Sequence, residues 1–175
     1  VVGVNTQKLK DTTKVEQYID YYIEKPNFGR DFGSYKSGFK AIRSQKFDQQ
    51  CQRLIMLNDS VFYSLRNLNT FVRELSSSKR EVLGATENHE IEYHLGSFCI
   101  AFSGRIIRHS KFRKFWKRYR LTDVRQRVIK RGEMGLSKTL KKCISAPGEM
   151  QAIFNLRWFS EEVKSKPELL NEISN

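Results

Sequence analysis

Leu54-Ile55-Met56-Leu57 runs without a polar interruption into Asn58-Asp59-Ser60. A half-buried strand alternates apolar and polar residues, and an amphipathic helix repeats with a period of about 3.6. A short unbroken apolar run does neither, so it predicts a strand buried on both faces. Such a strand needs cover on both sides, which in a chain of 175 residues means a sheet with helices packed on it. With 39% hydrophobic residues, the chain has apolar material for one domain with a core and too little for two.

Other segments supply the partners. Val1 to Val4 is a short β-rich run ending at Asn5-Thr6, and Tyr21-Tyr22-Ile23 is a second, ending at Pro26. Asn27 to Gly33 follows that proline, holds two glycines and reads as a loop. Ser34 to Arg43 places Tyr35, Phe39 and Ile42 at helical spacing, and Leu65, Leu68, Phe71, Val72 and Leu75 form another helical face. Val82-Leu83 is a short strand running into Gly84, and Ile91 to Phe102 is one strand or a pair. Phe112, Phe115, Trp116 and Tyr119 make one apolar stripe, with Lys111, Arg113, Lys114, Lys117 and Arg118 on the rest of the helix. Asp123 to Lys142 is helical in pattern, broken by Gly132 and Gly135; after Pro147 a short apolar run reaches Phe154 and a polar helical tail. Strands alternating with helices predict an α/β domain with a mostly parallel sheet. Ligands of such sheets bind in loops leaving the carboxyl ends of strands, here Asn27 to Gly33 and Asn58 to Ser60. The expected organisation is one domain over 1–175: an α/β core over 1–103, a basic helical segment over 104–146 and an extension over 147–175.

The charge is concentrated. Arg105 to Lys142 holds fifteen Lys and Arg against Asp123 and Glu133, which equals the whole chain's net +13, so the remainder is balanced. A local excess of that size implies a local anionic partner: a membrane surface, a diphosphate-bearing substrate or nucleic acid. Cys51, Cys99 and Cys143 are odd in number and widely spaced, which fits reduced thiols rather than a disulfide framework or metal site, and Cys99 falls in an apolar run. No apolar run approaches the roughly 20 residues of a spanning helix, and the start has no basic-then-apolar leader. The chain opens without Met on a strand already under way, as expected of a fragment trimmed at its front.

Three stretches carry candidate chemistry. Asn58-Asp59-Ser60 places a carboxylate, an amide and a hydroxyl at a strand end; Mg²⁺ takes one or two protein carboxylates plus phosphate oxygens, and the same residue types also cap helices. In Asn27-Phe28-Gly29-Arg30-Asp31-Phe32-Gly33 the glycines permit close backbone approach, Arg30 suits a phosphate and Asp31 a sugar or base hydroxyl; a glycine turn with a surface Arg–Asp pair fits equally. Glu87 and His94 are candidate acceptors of a hydroxyl proton, against a structural role for a histidine between apolar residues.

Together these blocks resemble the rhamnan synthesis F family of bacterial polysaccharide enzymes. The similarity runs through Asn27 to Gly38, Leu57 to Phe62, Gly84 to Asn88, His94 to Phe98 and Phe112 to Trp116, with Glu133 and Leu136-Ser137 fitting a later helix. It covers most of the span from Val1 to Cys143. The family pattern has Gln where Gly96 stands. The resemblance implies a GT-A-like, Rossmann-like sheet whose first strand and helix precede Val1. It implies a glycosyltransferase moving a sugar, such as rhamnose, from a nucleoside-diphosphate donor to a cell-surface polysaccharide or lipid-linked glycan. Asn27, Gly29, Arg30, Asp31, Gly33, Lys36, Asn58, Asp59 and Ser60 would bind the donor. Asp59 would bind the donor diphosphate through Mg²⁺ or Mn²⁺, and Glu87 and His94 would face the acceptor. The work would take place in the cytoplasm at the inner face of the cell membrane, with residues 105–142 against anionic lipid.

The alternatives are a nucleic-acid-binding module and a non-catalytic glycan-binding domain. A basic helix with interleaved aromatics and a pI near 9.8 fits the former. No helix-turn-helix, zinc-finger or RNA-recognition signature accompanies it, so nucleic acid is not the expected partner.

Overall fold

The computed structural model describes residues 1–7, 13–63 and 68–168. The first two β-rich runs form β1 (Val2–Asn5) and β2 (Tyr21–Glu24), paired in parallel around the short helix α1 (Thr13–Glu16). Helix α2 (Arg30–Ser44) begins at Arg30 rather than Ser34, because Gly29 takes a left-handed φ of 89° and turns the chain into the helix. There follow α3 (Phe47–Gln50), β3 (Arg53–Leu57), α4 (Leu68–Ser77) and β4 (Val82–Asn88). Leu65 lies outside the described residues. Next come β5 (His94–Leu95), β6 (Cys99–Ser103), α5 (Gly104–Arg108) and α6 (Ser110–Arg118). The pattern interrupted by Gly132 and Gly135 is α7 (Arg125–Val128), a π-helical turn (Ile129–Met134) and α8 (Gly135–Lys141); β7 (Met150–Phe154) and α9 (Leu156–Ser165) close the described chain.

The sheet corrects the expectation of a mostly parallel, GT-A-like fold. Its order is β3-β6-β4-β5, with β7 also on β4. The β3/β6, β6/β4 and β4/β5 pairs are antiparallel; the parallel pairs are β4/β7 and the separate β1/β2. The cause is connection length. β4, β5 and β6 follow one another through short turns, whereas a parallel pair needs a crossover of about a dozen residues or more. β3 is also not buried on both faces. It pairs with β6 alone among the described strands, so Met56 is buried while Leu57 is 52% exposed.

Apolar side chains cover both faces of the sheet. Alternation along β6 sends Ile100 and Phe102 to one side and Cys99 and Ala101 to the other. The first side packs on Phe32, Phe39, Phe112, Trp116, Leu136 and Leu140; the second joins Leu75, Leu83 and Ala85. The aromatic stripe is core, as predicted: Phe112 lies 5.0 Å from Phe102 and 5.3 Å from Phe39, and Trp116 stacks on Phe32 at 5.8 Å between ring centres. Buried Asp48 accepts from Arg113 at 2.9 Å and lies 3.9 Å from Arg43, tying α3 to α6 and α2. The three cysteines are free, and burial pushes the Cys99 thiol up to about 12. Among the described residues no helix is long and apolar enough to cross a membrane.

Candidate functional site

The carboxyl end of β3, the start of β6, the first turn of α2 and the π-helical turn converge. Leu57 stands opposite Cys99, which brings Asn58 to Phe98: the Asn58 N–H donates to the Phe98 carbonyl at 3.0 Å. The Asn58 side-chain oxygen accepts the Ser60 N–H at 3.1 Å, so the amide bends the chain after the strand. The Tyr63 hydroxyl donates to the Asn58 carbonyl at 2.9 Å, and Asp59 is left exposed between Asn58 and Ser60.

Helix α2 brings Asp31 to this turn, where the Asn58 side chain hydrogen-bonds its carboxylate. One turn on, the Tyr35 hydroxyl donates to the Ser97 carbonyl at 2.7 Å and pins α2 to the β5–β6 connection. The rest of the glycine loop serves mainly to hold this helix start. Asn27 is exposed, and Gly33 is buried with its N–H donating to the Gly29 carbonyl at 2.7 Å. The Gly29 N–H donates to Asp123 Oδ1 at 2.7 Å, and Arg30 Nε donates to the Asp123 carbonyl at 3.0 Å. Lys36 donates to the carbonyls of Tyr119 at 2.6 Å and Lys117 at 3.4 Å, at the end of α6.

Glu133 completes the cluster. The Ser97 hydroxyl donates to Glu133 Oε1 at 2.6 Å, and His94 Nε2 lies 3.6 Å from Oε2. The His94 Nδ1 lies 2.8 Å from the Glu92 carbonyl, which can only accept; Nδ1 therefore carries a proton and Nε2 faces Glu133. His94 is buried, and Glu133 beside it is the more exposed of the two. A Cβ at Gly132 would lie 2.8 Å from the Phe32 ring, so the glycine lets the π turn sit directly on the residue after Asp31. π turns insert an extra residue and re-aim side chains, frequently at functional sites. Sequence reasoning placed Glu133 on a later helix but not in the site; the signal was the pair of glycines interrupting a helical pattern. Glu87 is held elsewhere: its carboxylate accepts the Leu156 N–H at 2.9 Å and lies 3.2 Å from His89 Nε2. Glu87 and His94, read together as acceptor-side residues, thus have separate partners.

Burial raises the Asp31 carboxyl above its ordinary pKa, and the charges of Asp59 and Glu133 add to it; the Asn58 hydrogen bond and Arg30 oppose the shift. A carboxyl raised on folding contributes stability that is complete below its unfolded pKa and lost as pH rises through the folded one. At neutral pH the charged Asp31 weighs against the fold. Asp31→Asn is therefore expected to raise stability, and with it the melting temperature, at neutral pH, the gain being less than about 1 kcal/mol because the group is half in water. The gain should vanish below the ordinary carboxyl value of 3.8. Thermal unfolding at both pH values checks this, and a lower melting temperature at neutral pH would contradict the assigned strain.

Asp31, Asp59 and Glu133 thus gather negative charge at this turn, offset in part by Arg30. Among the described residues, no group of three or more His, Cys, Asp and Glu side chains is spaced to hold a metal by itself. A cation here would need oxygens from a substrate.

Comparison with known proteins narrows the meaning of this site. No solved structure matches the chain. It is 25% identical over 147 residues to "Uncharacterized protein y4gN" of Sinorhizobium fredii, covering 81% of this chain and 38% of that protein. It is 31% identical over 84 residues to "Virulence protein VirA" of Vibrio anguillarum, covering 48% of this chain and 26% of that protein. The chain therefore spans well under half the length of these relatives. The family described as "Rhamnan synthesis protein F" matches residues 1–159, a span that takes in every residue of the convergent site. On that match, the chain belongs to the rhamnan synthesis protein F family.

Proposed function

We propose that this chain carries the donor-binding and proton-accepting residues of a nucleotide-sugar-dependent glycosyltransferase of polysaccharide synthesis. The observation that carries this is the meeting of Asp31, Asn58 and Asp59 with Glu133, brought from distant segments to the carboxyl end of β3. A donor diphosphate needs a charge partner there, and Mg²⁺ or Mn²⁺ fits the carboxylates of Asp31 and Asp59, since such cations take one or two protein carboxylates. Asp59, exposed at the turn, would hold the cation with Asp31 beside it. When bound, the cation neutralises the departing nucleoside diphosphate. Gly29, Gly33 and Asn27 shape the backbone around the donor. Arg30 and Lys36 support it from behind through Asp123 and the end of α6.

In the transfer, an acceptor hydroxyl oxygen bonds to the anomeric carbon as the bond to the diphosphate oxygen breaks, and the diphosphate leaves with the electron pair. The hydroxyl proton passes to the Glu133 carboxylate, with His94 Nε2 behind it. Ser97 holds Glu133 in place from its other oxygen. The acceptor is a polysaccharide or lipid-linked glycan, and the basic face of residues 105–142 keeps the protein peripheral to anionic lipid at the inner face of the cell membrane.

Thermal unfolding of the full chain with nucleoside diphosphates and their sugars, with and without Mg²⁺ or Mn²⁺, tests the proposal. A bound donor stabilises by about 2.7 kcal/mol at roughly a hundredfold excess over its Kd. One nucleotide class is expected to raise the melting temperature only with the cation, and Asp59→Asn is expected to remove that rise without altering the unliganded melt. Absence of any nucleotide effect counts against the donor site; an undiminished effect in Asp59→Asn removes Asp59 from it.

A further inference from the structure

A groove of about 610 Å³ opens between α6 and α8. Lys111, Lys114, Arg118, Arg120, Arg131 and Lys142 line it, and no acidic residue does. Neighbouring cations behave differently. Arg105 pairs with Glu81 at 2.8 Å, Arg113 with Asp48 at 2.9 Å and Lys138 with Glu92 at 2.8 Å. None of the six groove cations forms a salt bridge among the described residues. The groove thus gathers six cations without a carboxylate partner around one cavity. Six like charges about one cavity repel one another, and an anion in the cavity would offset that repulsion.

A second feature lies in the wall. Tyr119 is 6% exposed, lines the groove, and its hydroxyl has no hydrogen-bond partner among the described residues. Both Arg131 and Glu133 act electrostatically on that hydroxyl. The π-helical turn thus presents Glu133 to Ser97 and His94, and Arg131 to the groove. Buried polar groups are normally paired, and this hydroxyl in the wall beside the open cations is not.

We propose that this groove is a binding site for a phosphate or diphosphate group, held by the Arg118 and Arg131 guanidinium groups with Lys111, Lys114, Arg120 and Lys142 around them. Guanidinium groups meet phosphate oxygens in paired hydrogen bonds, and lysines add point charge. The site is distinct from the carboxylate cluster, and its test stands whether or not that cluster binds a nucleotide sugar. The group has two chemical sources, a free diphosphate or a phospholipid headgroup.

Titration calorimetry of the full chain with inorganic pyrophosphate, without added divalent cation, and flotation with phosphatidylglycerol or phosphatidylcholine vesicles separate these sources. The double variant Arg118→Gln/Arg131→Gln is compared with Lys79→Gln/Lys164→Gln, which removes the same charge outside the groove. All four positions are exposed, so both variants are expected to fold. Pyrophosphate binding is expected to weaken at least about tenfold in the groove variant and to persist in the control, as loss of charge-assisted hydrogen bonds requires. Binding to phosphatidylglycerol vesicles but not to pyrophosphate, with the same dependence on the groove residues, assigns the site to a headgroup. Equal losses in the two variants, or no binding of either probe, would overturn the site.

Discussion

Substituting Glu133 by glutamine is expected to lower the turnover of sugar transfer by about 10²–10⁴-fold, the usual contribution of a positioned acid–base group. Glutamine preserves the acceptor for the Ser97 hydroxyl, which now lies 2.6 Å from the carboxylate, but it cannot take the proton of an attacking hydroxyl. Donor KM should change little, because the residue acts in the transition state rather than on the bound donor. The melting temperature should hold or rise slightly, since a like charge near Asp31 is removed. A merely structural Glu133 would produce the opposite pattern, a lower melting temperature with turnover retained. Steady-state transfer, using the donor that stabilises the chain, together with thermal unfolding, distinguishes the two. Turnover unchanged in a folded Glu133→Gln protein would remove Glu133 from the reaction.

Truncating Phe112 to alanine should cost about 3–5 kcal/mol of stability, the range for a fully buried aromatic side chain. For a chain of this size that lowers the melting temperature by roughly 10 °C or more. Phe112 is 0% exposed and its ring centre lies 5.0, 5.3 and 6.1 Å from those of Phe102, Phe39 and Trp116. It therefore links sheet, α2 and α6 at one point, and no neighbour can collapse into its volume without moving a second ring. The cost reaches function through α6, which supplies groove cations on one side and the carbonyls that hold Lys36 at its end. Denaturant unfolding measures the loss. A change below about 1 kcal/mol would show that α6 is held by something other than its aromatic stripe.

Some of this was written in local patterns. The stripe of Phe112, Trp116 and Tyr119 was legible as a buried helix face, because helical spacing brings those residues to one side of the axis. The strands at Val2–Asn5, Tyr21–Glu24 and Arg53–Leu57 were legible as short apolar or β-rich runs. The blocks from Asn27 to Phe98 were enough for the family, which the match over residues 1–159 bears out.

Strand direction was not legible. Periodicity reports which residues are buried, not which strand lies alongside. The short turns between β4, β5 and β6 impose antiparallel pairing, and β3, despite its apolar run from Leu54 to Leu57, pairs with β6 alone among the described strands, with Leu57 exposed. The site divides in the same way. Asp31, Asn58 and Asp59 could be named from loop composition, but Glu133 reaches Ser97 across 36 positions of sequence, and Asp123 reaches Gly29 across 94. Likewise the local charge excess announced a basic segment, while only the fold gathered six of its cations around one groove. The sequence by itself determined the elements and their buried faces, because burial follows from spacing within a few residues. Only the tertiary structure decided the sheet's direction, the fourth member of the polar cluster and the open cations, because each depends on contacts between segments far apart along the chain.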